Sequence, residues 1–241
     1  MQKFALVIVS LTTLLTVSSS PTHAGAVRIS QFYYGGGLDV DSGSRFNADY
    51  VELFNASGSI VDLGGWVIAY DPYMRYDHSP PSPFTCSGCT GTIPAGTSIK
   101  PCSYLLVQLG PVGPVHAGPL PVAPDIYLDT PNPRFTDAGA IVLMSGGTPD
   151  GTCGTGPTEQ DLLGWGESLA RCWIGASIPT FSEAAAAVRL GDGMSDTGSN
   201  ATDFYLTHNF TPHNASSPPN VMCLETPAVT GSWGRIKGIY R

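Results

Sequence analysis

The chain's 241 residues carry 19 acidic side chains against 11 basic ones, a formal charge of −8. That balance is a poor match for phosphate backbones, so no nucleic-acid partner is favoured. Its 29 glycines and 21 prolines stay under the roughly 25–30% that signals disorder and suit a loop-rich all-β domain.

The N-terminal 24 residues read as a signal peptide. Lys3 is followed by an apolar run over residues 4–17, and Thr22-His23-Ala24 supplies small residues before a cut. The run is shorter than the roughly 20 residues a membrane span needs. No second run of spanning length follows, so no transmembrane segment is expected after cleavage. Cleavage removes Lys3 and no acid, which leaves the remainder one unit more negative. The expectation is a secreted, extracellular or cell-envelope protein.

Apolar segments then alternate with turn chemistry. Val27 and Ile29 share a face, and Tyr34-Gly35-Gly36-Gly37 ends that strand. In DYVELF, residues 49–54, Val51 and Leu53 form one face and Tyr50, Glu52 and Phe54 the other. Short strands are expected at residues 60–63, 66–70, 104–109 and 140–144, with weaker ones at 161–165, 187–190 and 203–206. SEAAAAV, residues 182–188, has local helix propensity but is short enough to be a loop entering a strand. Two long Pro/Gly segments, residues 71–96 and 110–133, are the expected places for ligand contact. This spacing of short strands argues for a sandwich of antiparallel sheets.

Six cysteines in an exported chain point to disulfides. Cys86-Ser87-Gly88-Cys89 has redox spacing, but neither the compartment nor a βαβ pattern supports that use. A zinc site lacks a matching second pair. Cys86–Cys102 and Cys86–Cys89 are both open, with Cys223 taking the remainder.

No G-x-S-x-G occurs, and the four histidines beyond the signal (His78, His116, His208, His213) show no H-E-x-x-H spacing. In GDGMSDTGSNATDF, Asp192, Asp196, Asn200 and Asp203 place oxygen ligands at close spacing, a candidate calcium site. The competing explanation is that these side chains cap their own turns.

Three stretches, VRISQFYYGGG, DYVELFNASGSIVDLGGWVIAYD and IPAGTSIKPCSYLLVQ, resemble the lamin tail domain in its bacterial, exported form. The resemblance covers roughly residues 26–145. It continues more weakly through DLLGWGESLARCW and AAVRLGDGMSDTGSNATDF, where Gly198 stands at a position usually acidic. It implies an all-β, immunoglobulin-like antiparallel β-sandwich of the lamin tail type with long Pro/Gly-rich loops. It also implies a Cys153–Cys172 disulfide and no catalytic role for Glu52, whose side chain is expected on the solvent face.

The domain expectation is a signal over 1–24, the sandwich with its extension over 25–215, and a linker with a basic-aromatic tail over 216–241. The function expected is a non-catalytic binding or structural module contacting a protein or glycan through loops and outer sheet face. The rival functions are calcium-dependent adhesion and hydrolysis of extracellular polymers.

Overall fold

A computed structural model of the chain describes residues 25–36, 43–72, 89–113, 117–130, 138–147, 158–166 and 172–224. The expected signal peptide and the tail beyond Leu224 lie outside them. Twelve strands and two single-turn helices are described. In chain order the strands are β1 (Val27–Tyr33), β2 (Asp49–Asn55), β3 (Val61–Asp62), β4 (Val67–Pro72), β5 (Thr90–Thr92), β6 (Ser98–Ile99), β7 (Tyr104–Leu109), β8 (Ile126–Leu128), β9 (Gly139–Met144), β10 (Glu159–Trp165), β11 (Ala186–Arg189) and β12 (Phe204–Thr207). Helix α1 (Asn200–Asp203) leads directly into β12, and α2 (Val221–Leu224) follows the last long loop.

The strands form a six-stranded sheet in the order β12-β11-β1-β2-β7-β8 and a four-stranded sheet in the order β10-β9-β4-β5, with β3-β6 as a small ribbon. The pairings are antiparallel except that of β7 with β8, which is parallel. The all-β sandwich expected from strand spacing is therefore the architecture observed. β5 and β8 lie inside the two segments read as long loops. At three residues each they are too short for alternation to announce them.

The core sits between the two sheets. Ile29, Phe32, Val51, Leu53, Leu105 and Val107 from the larger sheet meet Ile68, Tyr70, Ile141, Leu143, Leu163 and Trp165 from the smaller one. β1 keeps its face inward by means of a bulge. Its register on β2 shifts between Ile29 and Gln31, so Ser30 is an extra residue. The parity of the inward face moves from Val27 and Ile29 to Phe32 and Tyr34.

Both outer faces are also covered. On the larger sheet, Tyr33, Tyr50 and Leu106 pack against Phe46 and Phe210, with Leu120 and Val122 beside them. On the smaller sheet, Val67, Ala69, Val142 and Leu162 lie against Cys172 and Ile174. Loops distant in sequence bury these faces. SEAAAAV is resolved as a turn running into β11, since Ala186 and Ala187 are fully buried and pair with β1 and β12.

Candidate functional site: a buried carboxylate beneath a C-terminal strap

Glu52 faces away from the sandwich core, as alternation requires, yet it is only 2% exposed. The expected solvent-facing position is corrected by residues 208–220, which run across the outer face of β2 and β7. Ser30, the bulge residue, donates its hydroxyl to Glu52 Oε1 at 2.6 Å. The backbone N–H of His213 donates to Oε2, and His213 Nδ1 lies 3.2 Å from the same oxygen. The His213 ring stacks on Tyr104 with centroids 4.5 Å apart. Its side chain remains 38% exposed.

The electrostatics follow from this burial. The hydrogen bond to Glu52 raises the His213 pKa above its ordinary value, although partial burial opposes the shift. Burial pushes the Tyr50 and Tyr104 hydroxyls well up, and the nearby Glu52 charge adds to both. Tyr50 donates to Gln31 Oε1 within the same layer. Glu52 bridges Ser30 and His213, and no bond between those two is described. A serine activated by a histidine needs the histidine in the middle; here the carboxylate holds that place.

The strap has further attachments. Arg45 donates to the His208 carbonyl at 2.7 Å, and its guanidinium lies over the Phe46 and Phe210 rings. Asp125 Oδ2 accepts the backbone N–H groups of Leu106 and Ala215. Asn220 receives Met222 N–H on its oxygen and donates to the Gly191 and Asp192 carbonyls. Cys223 closes the segment through a disulfide to Cys102. Asn220 and Cys223, beyond the residue 215 at which the domain was expected to end, are buried.

The four expected calcium ligands are divided among separate jobs. Asn200 Oδ1 accepts the amides of Gly164 and Ile174, and its NH2 donates to the Leu162 carbonyl. Asp203 accepts from the Ser195 hydroxyl and the Thr197 amide. Its Oδ2 lies 3.8 Å from Arg189. Asp196 pairs with Arg28 at 3.4 Å, and Arg28 also donates to the Met194 carbonyl. Asp192 is exposed at a positive φ of 52°, and its backbone oxygen accepts from Tyr104. Two guanidinium groups thus lie against the carboxylates of this loop. Among the described residues, no three His, Cys, Asp or Glu side chains are grouped to hold a metal. Gly193 packs the loop onto the sheet: a Cβ there would meet the Phe54 ring at 2.6 Å.

Of the sequence-expected disulfide, Cys172 is disulfide-bonded and Cys153 lies outside the described residues. Cys89 is also bonded. The Cys102–Cys223 bridge removes the Cys86–Cys102 alternative. Sequence reasoning missed the Glu52–His213 pair because 161 residues separate the partners and neither lies in a motif.

The fold and this site together define a disulfide-bonded all-β sandwich with a strapped outer face. No family model matches the sequence, and no curated protein matches it. Among solved structures, the chain is similar to a crystal structure of a DUF4876 family protein from Bacteroides thetaiotaomicron. The two are 12% identical, the match covers 87% of this chain and 75% of that one, and the TM-score is 0.45. Among the described residues, no helix is long and apolar enough to cross a membrane.

Proposed function

We propose that this chain is an exported, non-catalytic module at the cell envelope or outside the cell, resembling the lamin tail domain. It binds a protein or glycan through its loops. The observation that carries the reading is the Cys102–Cys223 bridge between the β7 entrance and the strap. Cys89 and Cys172 are likewise oxidised, and structural disulfides of this kind belong to oxidising compartments. The strongest candidate acid, Glu52, is occupied by Ser30 and His213, which favours a scaffold over a reaction centre.

The test is expression of the whole gene with a C-terminal tag, followed by cell fractionation and N-terminal mass measurement. The reading expects a chain cut after Ala24 in the exported fraction. It also expects retention on envelope material that is lost after either protease or periodate treatment, which separates a protein partner from a glycan. An uncut, reduced chain in the cytoplasm would sink the reading. So would polymer hydrolysis by the purified chain that disappears in Glu52→Gln.

A further inference from the structure

We propose that residues 208–217 form a strap whose grip on the outer face of the larger sheet is set by pH through the Glu52–His213 pair. The geometry confines opening to this stretch. Arg45 holds the His208 carbonyl at one end, and Asn220 with the Cys102–Cys223 bridge holds the other. Between them the strap has one contact that changes charge near neutral pH, His213 on Glu52. The rest of its grip comes from the Phe210 ring, from Asn214 on the Ala123 carbonyl and from the Ala215 amide on Asp125.

The charged and titratable groups around His213 can be named element by element. Glu52 and Tyr50 come from β2, Tyr104 from β7, Asp192 from the loop after β11, and Asp125 and Arg45 from the loops beside the strap. Within the strap the other histidine is His208. Its Nδ1 meets the Ala184 carbonyl rather than an acid. Glu52 and Asp192 both favour a protonated His213.

The folded pKa of His213 therefore lies above its ordinary 6.5. Closure is fully supported below 6.5 and loses the ion-pair contribution as pH rises through the folded value. Each unit of separation between the closed and open pKa values makes opening about tenfold easier. Opening uncovers Glu52 and Ser30, a carboxylate and a hydroxyl that are otherwise buried.

Hydrogen exchange of residues 208–217 tests this in the purified, disulfide-intact chain from pH 6 to pH 9. Each rate is divided by the intrinsic rate at that pH. The expected result is a protection factor that falls with a midpoint above pH 6.5, while β4 and β9 stay unchanged. His213→Gln should be flat over the interval at the wild type's high-pH level, and His208→Gln should follow the wild type. A flat wild-type profile overturns the proposal, as does an undiminished fall in His213→Gln. Should that variant fail to fold, NMR titration of the wild-type histidines decides the matter. The exchange midpoint must coincide with the His213 titration, and a mismatch refutes the switch.

Discussion

Arg189 of β11 and Asp161 of β10 meet inside the sandwich, where their side chains are 2% and 0% exposed, and join the two sheets. Arg189 also donates to the carbonyls of Ile29 and Ser195 and lies over the Phe204 ring at 4.2 Å. Asp161 accepts the Ile29 amide at 2.7 Å. Burial pushes the Asp161 carboxyl above its ordinary range, and the guanidinium pulls it part of the way back. The pair is thus a junction of β1, β10, β11 and the acidic loop.

Removing Asp161 leaves the buried Arg189 with the more distant Asp203 at 3.8 Å, which costs up to about 3–5 kcal/mol. Asp161→Asn should lower the urea midpoint by a corresponding amount while keeping an acceptor for the Ile29 amide. A loss below about 1 kcal/mol would show that the junction is not charged in the folded state.

Asp49 provides a pH-dependent prediction of a different kind. It is fully buried at the start of β2, and its Oδ1 accepts the Gly36 amide at 2.6 Å. Its Oδ2 has no hydrogen-bond partner among the described residues. Burial holds the carboxyl well above its ordinary 3.8, against the opposing Gly36 bond. A raised acid binds its proton more tightly in the folded state. Its stabilising contribution is complete below 3.8 and is lost as pH rises through the folded value. Asp49→Asn keeps an acceptor for Gly36 and cannot ionise. Its denaturation midpoint should therefore depend less on pH above 4 than the wild type's. It should exceed the wild type's most clearly at the alkaline end. Parallel profiles for the two proteins would contradict this account.

Much of the sandwich was legible in local pattern, and the limits have a physical cause. Val51 and Leu53 face inward as alternation demands, because period two follows from strand geometry. Alternation orients Glu52 but does not say whether its side is wet. The cover arrives from residues 208–220 and from Phe46, which no local pattern connects to β2. The acidic loop was ambiguous for a related reason. Aspartates at close spacing serve a calcium ion or a guanidinium equally well. The arginines that decide the matter sit in β1 and β11, with Arg28 lying 166 residues from its Met194 acceptor.

That division of the loop has a direct consequence for calcium. Asn200 is 1% exposed, and both ends of its amide are engaged with backbone. Millimolar calcium should leave the melting temperature unchanged, since a ligand stabilises only by binding the folded state. Asn200→Ala should strand two amides and a carbonyl in the interior, at about 1–3 kcal/mol for each unsatisfied group. A combined loss of several kcal/mol by calorimetry is expected. A rise of several degrees with calcium would restore the metal site and refute the structural assignment.

The Cys102–Cys223 bridge is where chain topology and the strap converge. The bonded residues are 121 apart, so the bridge closes most of the domain into one loop. In the chain-entropy account, a loop of that order is worth about 4–5 kcal/mol through the unfolded state. The Cys102→Ser, Cys223→Ser pair should lose stability in that range. A second effect is local. Cys223 packs with Phe54 and Tyr104, so its truncation loosens the apolar support beneath the strap as well. Denaturation and hydrogen exchange separate the two contributions. Entropy alone lowers the global midpoint and leaves relative protection within the fold unaltered. Lost packing adds a selective rise in exchange over residues 218–224, while β4 and β9 change only with global stability. The double variant is expected to show both. An unchanged midpoint would mean that Asn220 and its carbonyl partners hold the end of the strap without the disulfide.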